Sequence, residues 1–499
     1  MRNHGWMLGA VCITTAGAGC SAAVGPEAIG QSANELSSTI TNPDDFGQVS
    51  VFSTNAERGI DLNNPFFQNL GANGRTCNSC HKLENAMGIS VARIQSIFNA
   101  TNGTDPLFTT NDGSNAPTGF YSNTSSLASR KISFSMLLNH GTIRVGIGVP
   151  SGADFNLAAV QDPYYFASAT ELSLFRRPLP SVNVAFNTLV MWDGRESEGR
   201  PAVRDALMSQ ANDATMGHAQ RPTPIDSSTQ ASIADFQLAL FAAQSSGSVV
   251  GALNVAGCTI SAADGTPCDA ARGGPQNLAL VLTQGSPGAD QGSFPPFSPG
   301  VNDSFASGFR NISFTPFDPW ESQDLGSTPP ANLTAARGNI GDGENTFYTK
   351  PINITGVPGL NDVLGQTVVH GFCTTCHNNP DVGNHSVARF FNIGTASPFL
   401  GDNPLAGNIT DFPKYTFRRN SDSNQLTTTD PGLGLRTGKY ADIGKFKVPQ
   451  LRGLGSRAPY FHNGQAKTLT DVVNFYNQRF QIGFTATEIA NIVAFLEQT

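Results

Sequence analysis

Two five-residue stretches carry the chemistry of this chain. Cys373-Thr374-Thr375-Cys376-His377 and Cys77-Asn78-Ser79-Cys80-His81 each set two thiols three positions apart, with an imidazole directly after. That is the attachment pattern of c-type haem. Each thiol adds to one vinyl group of the same porphyrin, and the histidine that follows supplies an axial nitrogen to the iron. A zinc site or a thioredoxin-like pair would use the cysteines but gives no reason for the histidine. Two copies, using four of the eight cysteines, point to two covalently bound c-type haems. One would sit on Cys77, Cys80 and His81, the other on Cys373, Cys376 and His377. Two haems in one chain allow a division of labour. An iron with an open face can meet an oxidant, and one capped on both faces can only pass electrons.

Helices must hold these sites, and the sequence marks several. Pro201 suits a first turn, and Val203, Leu207, Gln210 and Ala214 then share a face. Ser232-x-x-Asp235 reads as a capping box ahead of a face with Ile233, Phe236 and Leu240. Thr468-x-x-Asp471 caps a helix whose apolar face carries Leu469, Val472, Val473 and Tyr476. Thr485-x-x-Glu488 caps the last one, which buries Ile489, Ile492, Val493 and Leu496. Residues 332–349 are helical in character. From about 245 to 332 the chain is rich in Gly, Ser and Pro, which reads as a surface insertion or interdomain excursion. His140, beside Gly141 after an apolar stretch, reads as a packed or capped residue and not as a ligand.

Composition narrows the function class. Charged residues make up 14% of 499 positions, with 52 glycines and 31 prolines, so much of the chain is expected to be loop. The formal net charge of −8 offers no basic stripe for phosphates, which argues against a nucleic-acid partner. Arg2, an apolar run from Trp6 to Ala16 and the small residues after it outline an export signal. Cleavage falls either near Ala22, giving a soluble periplasmic protein, or at Cys20, giving a lipid anchor. Export agrees with c-type attachment. In an oxidising compartment Cys258 and Cys268 are expected to pair as a structural disulfide. The resulting division is 1–22 export signal, 23–244 first haem domain, 245–332 insertion and 333–499 second haem domain.

Four motifs in order resemble the bacterial dihaem cytochrome c peroxidase/MauG family. They are Met191-Trp192-Asp193-Gly194-Arg195, the second haem motif, Phe446-Lys447-Val448-Pro449-Gln450-Leu451-Arg452, and Ala458-Pro459-Tyr460-Phe461-His462-Asn463-Gly464. The resemblance covers roughly residues 57–90, 176–244 and 334–496, and leaves out 118–170 and 245–330. It implies a mainly α fold of two cytochrome c-like helical haem domains with long loop insertions, the haems facing the domain interface. The N-terminal haem would be the peroxidatic one and the C-terminal haem the electron-transfer one. Trp192 would lie between them as a relay, against the plainer reading of a buried aromatic.

Three positions bear on which branch of the family the chain resembles. All seven methionines lie at or before Met216, so the methionine ligand common among these peroxidases has no candidate in the C-terminal domain. The matching position is Tyr476, where MauG-type members carry tyrosine. A phenolate there would lower the potential of that haem, and Tyr476 also reads simply as a helix-face residue. His385 and His462 are the competing ligands, with His462 at the haem edge. On the distal side of the first haem, Gln210 has its family counterpart, but the family glutamate is replaced by Asn212-Asp213-Ala214-Thr215-Met216-Gly217-His218. His218 can move a proton between peroxide oxygens, can ligate the iron, or can be structural. The family calcium would use backbone carbonyls near Arg457 and Pro459. The asparagine expected to help falls near Arg177, whose charge opposes a cation.

These expectations give one reading and two alternatives. The first is an exported dihaem peroxidase that reduces hydrogen peroxide with electrons from a small cytochrome or cupredoxin. The second is a MauG-like or rubber-oxygenase-like oxidase or oxygenase acting on a protein side chain or organic substrate. The third is a non-catalytic dihaem electron carrier.

Overall fold

A computed structural model describes residues 37–257, 269–284, 303–311, 315–322, 334–377 and 389–499. The expected export signal, Cys258, Cys268 and His385 lie outside the described residues. No helix among the described residues is long and apolar enough to cross a membrane.

The helices form where local chemistry starts them. Thr468 and Asp471 cap each other, the Asp471 amide donating to Thr468 Oγ1 at 3.1 Å and the Thr468 amide to Asp471 Oδ2 at 2.9 Å. The helix Leu469–Phe480 follows. Thr485 and Glu488 do the same for Ala486–Glu497, and each such cap is worth about 1 kcal/mol. The helix Val203–Gly217 appears as the apolar spacing requires. The next one corrects the reading of its start. It runs Ser227–Leu238 and is capped by Asp226, so Ser232 lies mid-helix. Ala335–Thr349 crosses the final helix closely: a Cβ on Gly343 would meet the Asn491 carbonyl oxygen at 1.9 Å.

The expectation of a mainly α chain is corrected to a mixed one, because among the described residues thirteen strands in five sheets accompany the helices. Thr39–Asp44, Gly47–Ser53, Leu240–Gly247 and Gly251–Ala252 form an antiparallel four-stranded sheet. The amide of Gln244 donates to the carbonyl of the last residue, Thr499, at 3.2 Å. The boundary drawn at 244 therefore cuts through a strand, and Ser37–Thr499 forms one compact unit.

Both poorly patterned regions hold structure. Phe155–Gln161 pairs antiparallel with Lys414–Arg419, which pairs in turn with Gln425–Thr428. A lobe is thus made from two segments far apart in sequence, around Phe155, Leu174, Tyr415 and Phe417. The described part of 245–332 is not all surface. Its Phe317 and Trp320 are fully buried in the largest core cluster, beside Phe241, Phe347 and Phe495. Each fully buried side chain of this size contributes about 1.5–3 kcal/mol or more of apolar transfer.

Candidate haem sites

Cys77–Ser79 forms a short 3-10 turn that leads into Cys80 and His81. His81 Nδ1 lies 3.2 Å from the Met87 carbonyl and 3.0 Å from Ser181 Oγ. That fixes the ring and leaves Nε2 as the coordinating atom, the arrangement metal-binding histidines use. Burial pushes the imidazole down to about 4, so it is neutral at ordinary pH, as ligation requires. Both thiols are free. They line a cavity that encloses about 1480 Å³ with its open mouth included.

The same cavity holds Gln210 and His218. Helix Val203–Gly217 presents Gln210, and His218 is its C-terminal cap. His218 Nδ1 pairs with Asp112 Oδ2, and Asp112 Oδ1 pairs with the Arg75 guanidinium. Burial pushes the Asp112 carboxyl up. Arg75 and His218 outweigh it and hold the group below the ordinary carboxylate range. His218 is thus an oriented imidazole backed by an ionised carboxylate, with its other ring nitrogen left for the cavity.

Cys373–Thr375 forms the matching turn at the second site. Cys373, Cys376 and His377 line a cavity of about 1690 Å³. Burial pushes both thiols up to about 12 and His377 down to about 4. His377 packs near Phe347, with ring centroids 6.2 Å apart. Tyr476 stands 6.3 Å from the His377 ring at 84°, and burial pushes its phenol above the usual tyrosine range. Phe461, Phe475 and Phe480 surround it. The two triples and their cavities fit two covalently held porphyrins.

Trp192 lines both cavities, as do Arg177, Leu179, Lys447 and Gln450. Its indole Nε1 donates to the Arg177 carbonyl at 2.9 Å, and its own carbonyl accepts from the Lys447 amide at 2.9 Å. The turn after it needs glycine. Gly194 has φ of +71°, and a Cβ there would lie 2.6 Å from Phe390. Asp193 is locked by Arg176, which Asp430 also holds. His462 stacks on Phe446 at 4.1 Å and meets Trp192 edge-on at 6.1 Å. It lines the second cavity, in keeping with a place at a cofactor edge.

His140 lies apart from both cavities. It is buried at the end of helix Ser135–His140 and pairs with Asp411 at 3.0 Å. The family calcium near Arg457 and Pro459, already opposed by the charge of Arg177, does not fit. The Arg457 carbonyl accepts from Arg177 Nη2 at 2.8 Å. No cluster of three or more His, Cys, Asp or Glu fit to hold a metal occurs among the described residues. Sequence reading missed Asp112, Arg75 and Ser181. Asp112 sits in an Asn-Asp-Gly turn and reads there only as a turn residue.

No family model matches the chain. Curated relatives do. A cytochrome-c peroxidase IdrP1 of Denitromonas iodatirespirans is 33% identical over 137 residues, 25% of this chain and 36% of that one. The cytochrome c551 peroxidase of Nitrosomonas europaea is 31% identical over 148 residues, 28% of this chain and 36% of that one. A cytochrome-c peroxidase IdrP2 of Pseudomonas sp. (strain SCT) is 36% identical over 107 residues, 21% and 28% respectively. The matched stretch spans about a third of the length of these relatives. A solved MauG-like protein associated with microbial copper homeostasis overlays 66% of this chain and 75% of its own at 15% identity. Its TM-score of 0.30 is too low to argue from. The resemblance read from the motifs is thus upheld by cytochrome-c peroxidases.

Proposed function

We propose that this relative of the cytochrome-c peroxidases is an exported dihaem c-type enzyme that reduces hydrogen peroxide at the Cys77–His81 site. One observation carries the reading. An imidazole backed by a carboxylate stands with Gln210 in that cavity, and Trp192 lines the wall shared with the second.

A haem held by Cys77, Cys80 and His81 would supply the redox-active iron at which peroxide is reduced. The remaining steps belong to the chain. His218, held at Nδ1 by Asp112, takes a proton at Nε2 from one peroxide oxygen and returns it to the other, the proton movement that reductive cleavage of the O–O bond requires. Asp112 fixes the ring and steadies its protonated form, and Arg75 keeps Asp112 ionised. The Gln210 amide orients the substrate. A small cytochrome or cupredoxin delivers electrons at the Cys373–His377 side, and Trp192, which lines both cavities, offers an aromatic step between them. Two electrons and two protons convert one peroxide to two waters.

A second reading rests on Tyr476. A tyrosine facing His377 suits a MauG-like oxidant that acts on a protein side chain or organic substrate. Peroxide turnover separates the two. The first reading expects peroxide-dependent oxidation of a reduced small cytochrome or cupredoxin at many cycles per enzyme. Oxidation of an aromatic protein or organic substrate without such turnover would replace it with the second. Two low-spin haems unmoved by peroxide would leave only an electron carrier.

A further inference from the structure

Arg177 is buried, and its titratable neighbours among the described residues are Arg457 and Tyr460, with no carboxylate in an ion pair to it. Its guanidinium is satisfied by backbone oxygens from three separate segments. Nη1 donates to the His140 carbonyl at 3.0 Å, and Nη2 donates to the Ile89 carbonyl at 2.6 Å and the Arg457 carbonyl at 2.8 Å. The backbone of the same residue is engaged as well. Its amide donates to the His462 carbonyl at 2.7 Å, and its carbonyl accepts the Trp192 indole N–H at 2.9 Å. Carbonyl oxygens converging from several loops on one buried positive charge are the donor set that a hard divalent cation takes. Here the charge arrives on a side chain. Gly141 gives it room: a Cβ at that position would lie 2.0 Å from Arg177 Nη1.

We infer that Arg177 is a built-in cation that fastens the Ile89, His140 and Arg457 segments at the wall common to both cavities, so that no bound calcium is needed there. The guanidinium uses the carbonyls a metal would need and its charge repels one. Because the clip also carries the Trp192 hydrogen bond, it sets the indole position in the shared wall. A tethered charge is not lost to a chelator or to dilution, so the geometry between the sites is independent of free calcium.

The test uses the haem-loaded protein. After exhaustive dialysis against EGTA and after 1:1 addition of calcium, the expected result is less than one-tenth equivalent of calcium by elemental analysis, with melting temperature and tryptophan fluorescence unchanged. A stoichiometric tightly held calcium, or a melting temperature that falls with EGTA and recovers with calcium, overturns the inference. A second arm needs variants. Arg177→Met is expected to lower the melting temperature and red-shift the tryptophan emission, and Arg177→Lys to recover part of both. A methionine variant with the wild-type melting temperature and emission would equally overturn it. Should that variant not fold, the calcium analysis of the unaltered protein decides.

Discussion

At Cys77–His81 the imidazole is pinned by Ser181 and the Met87 carbonyl, and the cavity holds Gln210, His218 and the Asp112–Arg75 pair. At Cys373–His377 the imidazole packs near Phe347 and stands opposite Tyr476, amid Phe461, Phe475 and Phe480. The five-residue motif is the same in both. What differs is the wall across the cavity: proton-handling groups at one site, the Tyr476 phenol among aromatic rings at the other. The comparison teaches that the motif decides what is attached, and the facing residues decide what the attached group can do.

The largest test of that contrast removes one attachment. Cys77→Ser with Cys80→Ser is expected to halve covalent haem, from two equivalents to one, read by pyridine haemochrome absorbance and intact mass. Peroxide turnover should vanish while the spectrum of the other site stays. Loss of both haems, or none, would break the assignment of one haem to each triple. Next, His218→Ala should lower kcat/KM for peroxide about 10²–10⁴-fold, the usual worth of a positioned acid–base group, without moving the spectrum of the Tyr476 site. An unchanged rate would make His218 structural. Asp112→Asn should cost less, about 10–100-fold, the range seen for groups that orient a functional side chain.

Tyr476→Phe addresses the other wall. Spectroelectrochemistry should show the potential of the C-terminal haem rising, since an anionic oxygen no longer favours the ferric state, and peroxide binding at the first site should be unaltered. An unmoved potential would return Tyr476 to a packing role. The smallest effect is on acid stability. Burial pushes Asp193 up, and Arg176 and Arg195 outweigh it, holding the carboxyl at about 2 against an ordinary 3.8. A depressed carboxyl contributes stability that is present above 3.8 and lost as pH falls through about 2, roughly 2–3 kcal/mol in all. Thermal melts of Asp193→Asn should lack that part of the acid decline.

Much of the local architecture was legible. The two attachment motifs, the reciprocal caps at Thr468 and Thr485 and the apolar faces behind them are all encoded within five to twelve consecutive residues. Short-range geometry needs nothing else. The reading failed where a pattern was ambiguous. Ser232 and Asp235 have capping-box spacing, but Asp226 caps the helix a turn and a half earlier. The Gly/Pro-rich stretch looked like surface because its punctuation hid Phe317 and Trp320, two aromatics that the main core takes in.

The sequence alone determined which chemistry two sites can attract, since thiols and imidazole at that spacing meet one porphyrin wherever the chain folds. Only the tertiary structure decided how each site is walled. His218 and Asp112 are 106 residues apart. Arg177 gathers carbonyls from Ile89, His140 and Arg457, and Phe155–Gln161 finds its strand partner at Lys414–Arg419. Such pairings leave no local periodicity. They arise when packing brings distant segments together, and buried charges then have to find partners among whatever groups arrive.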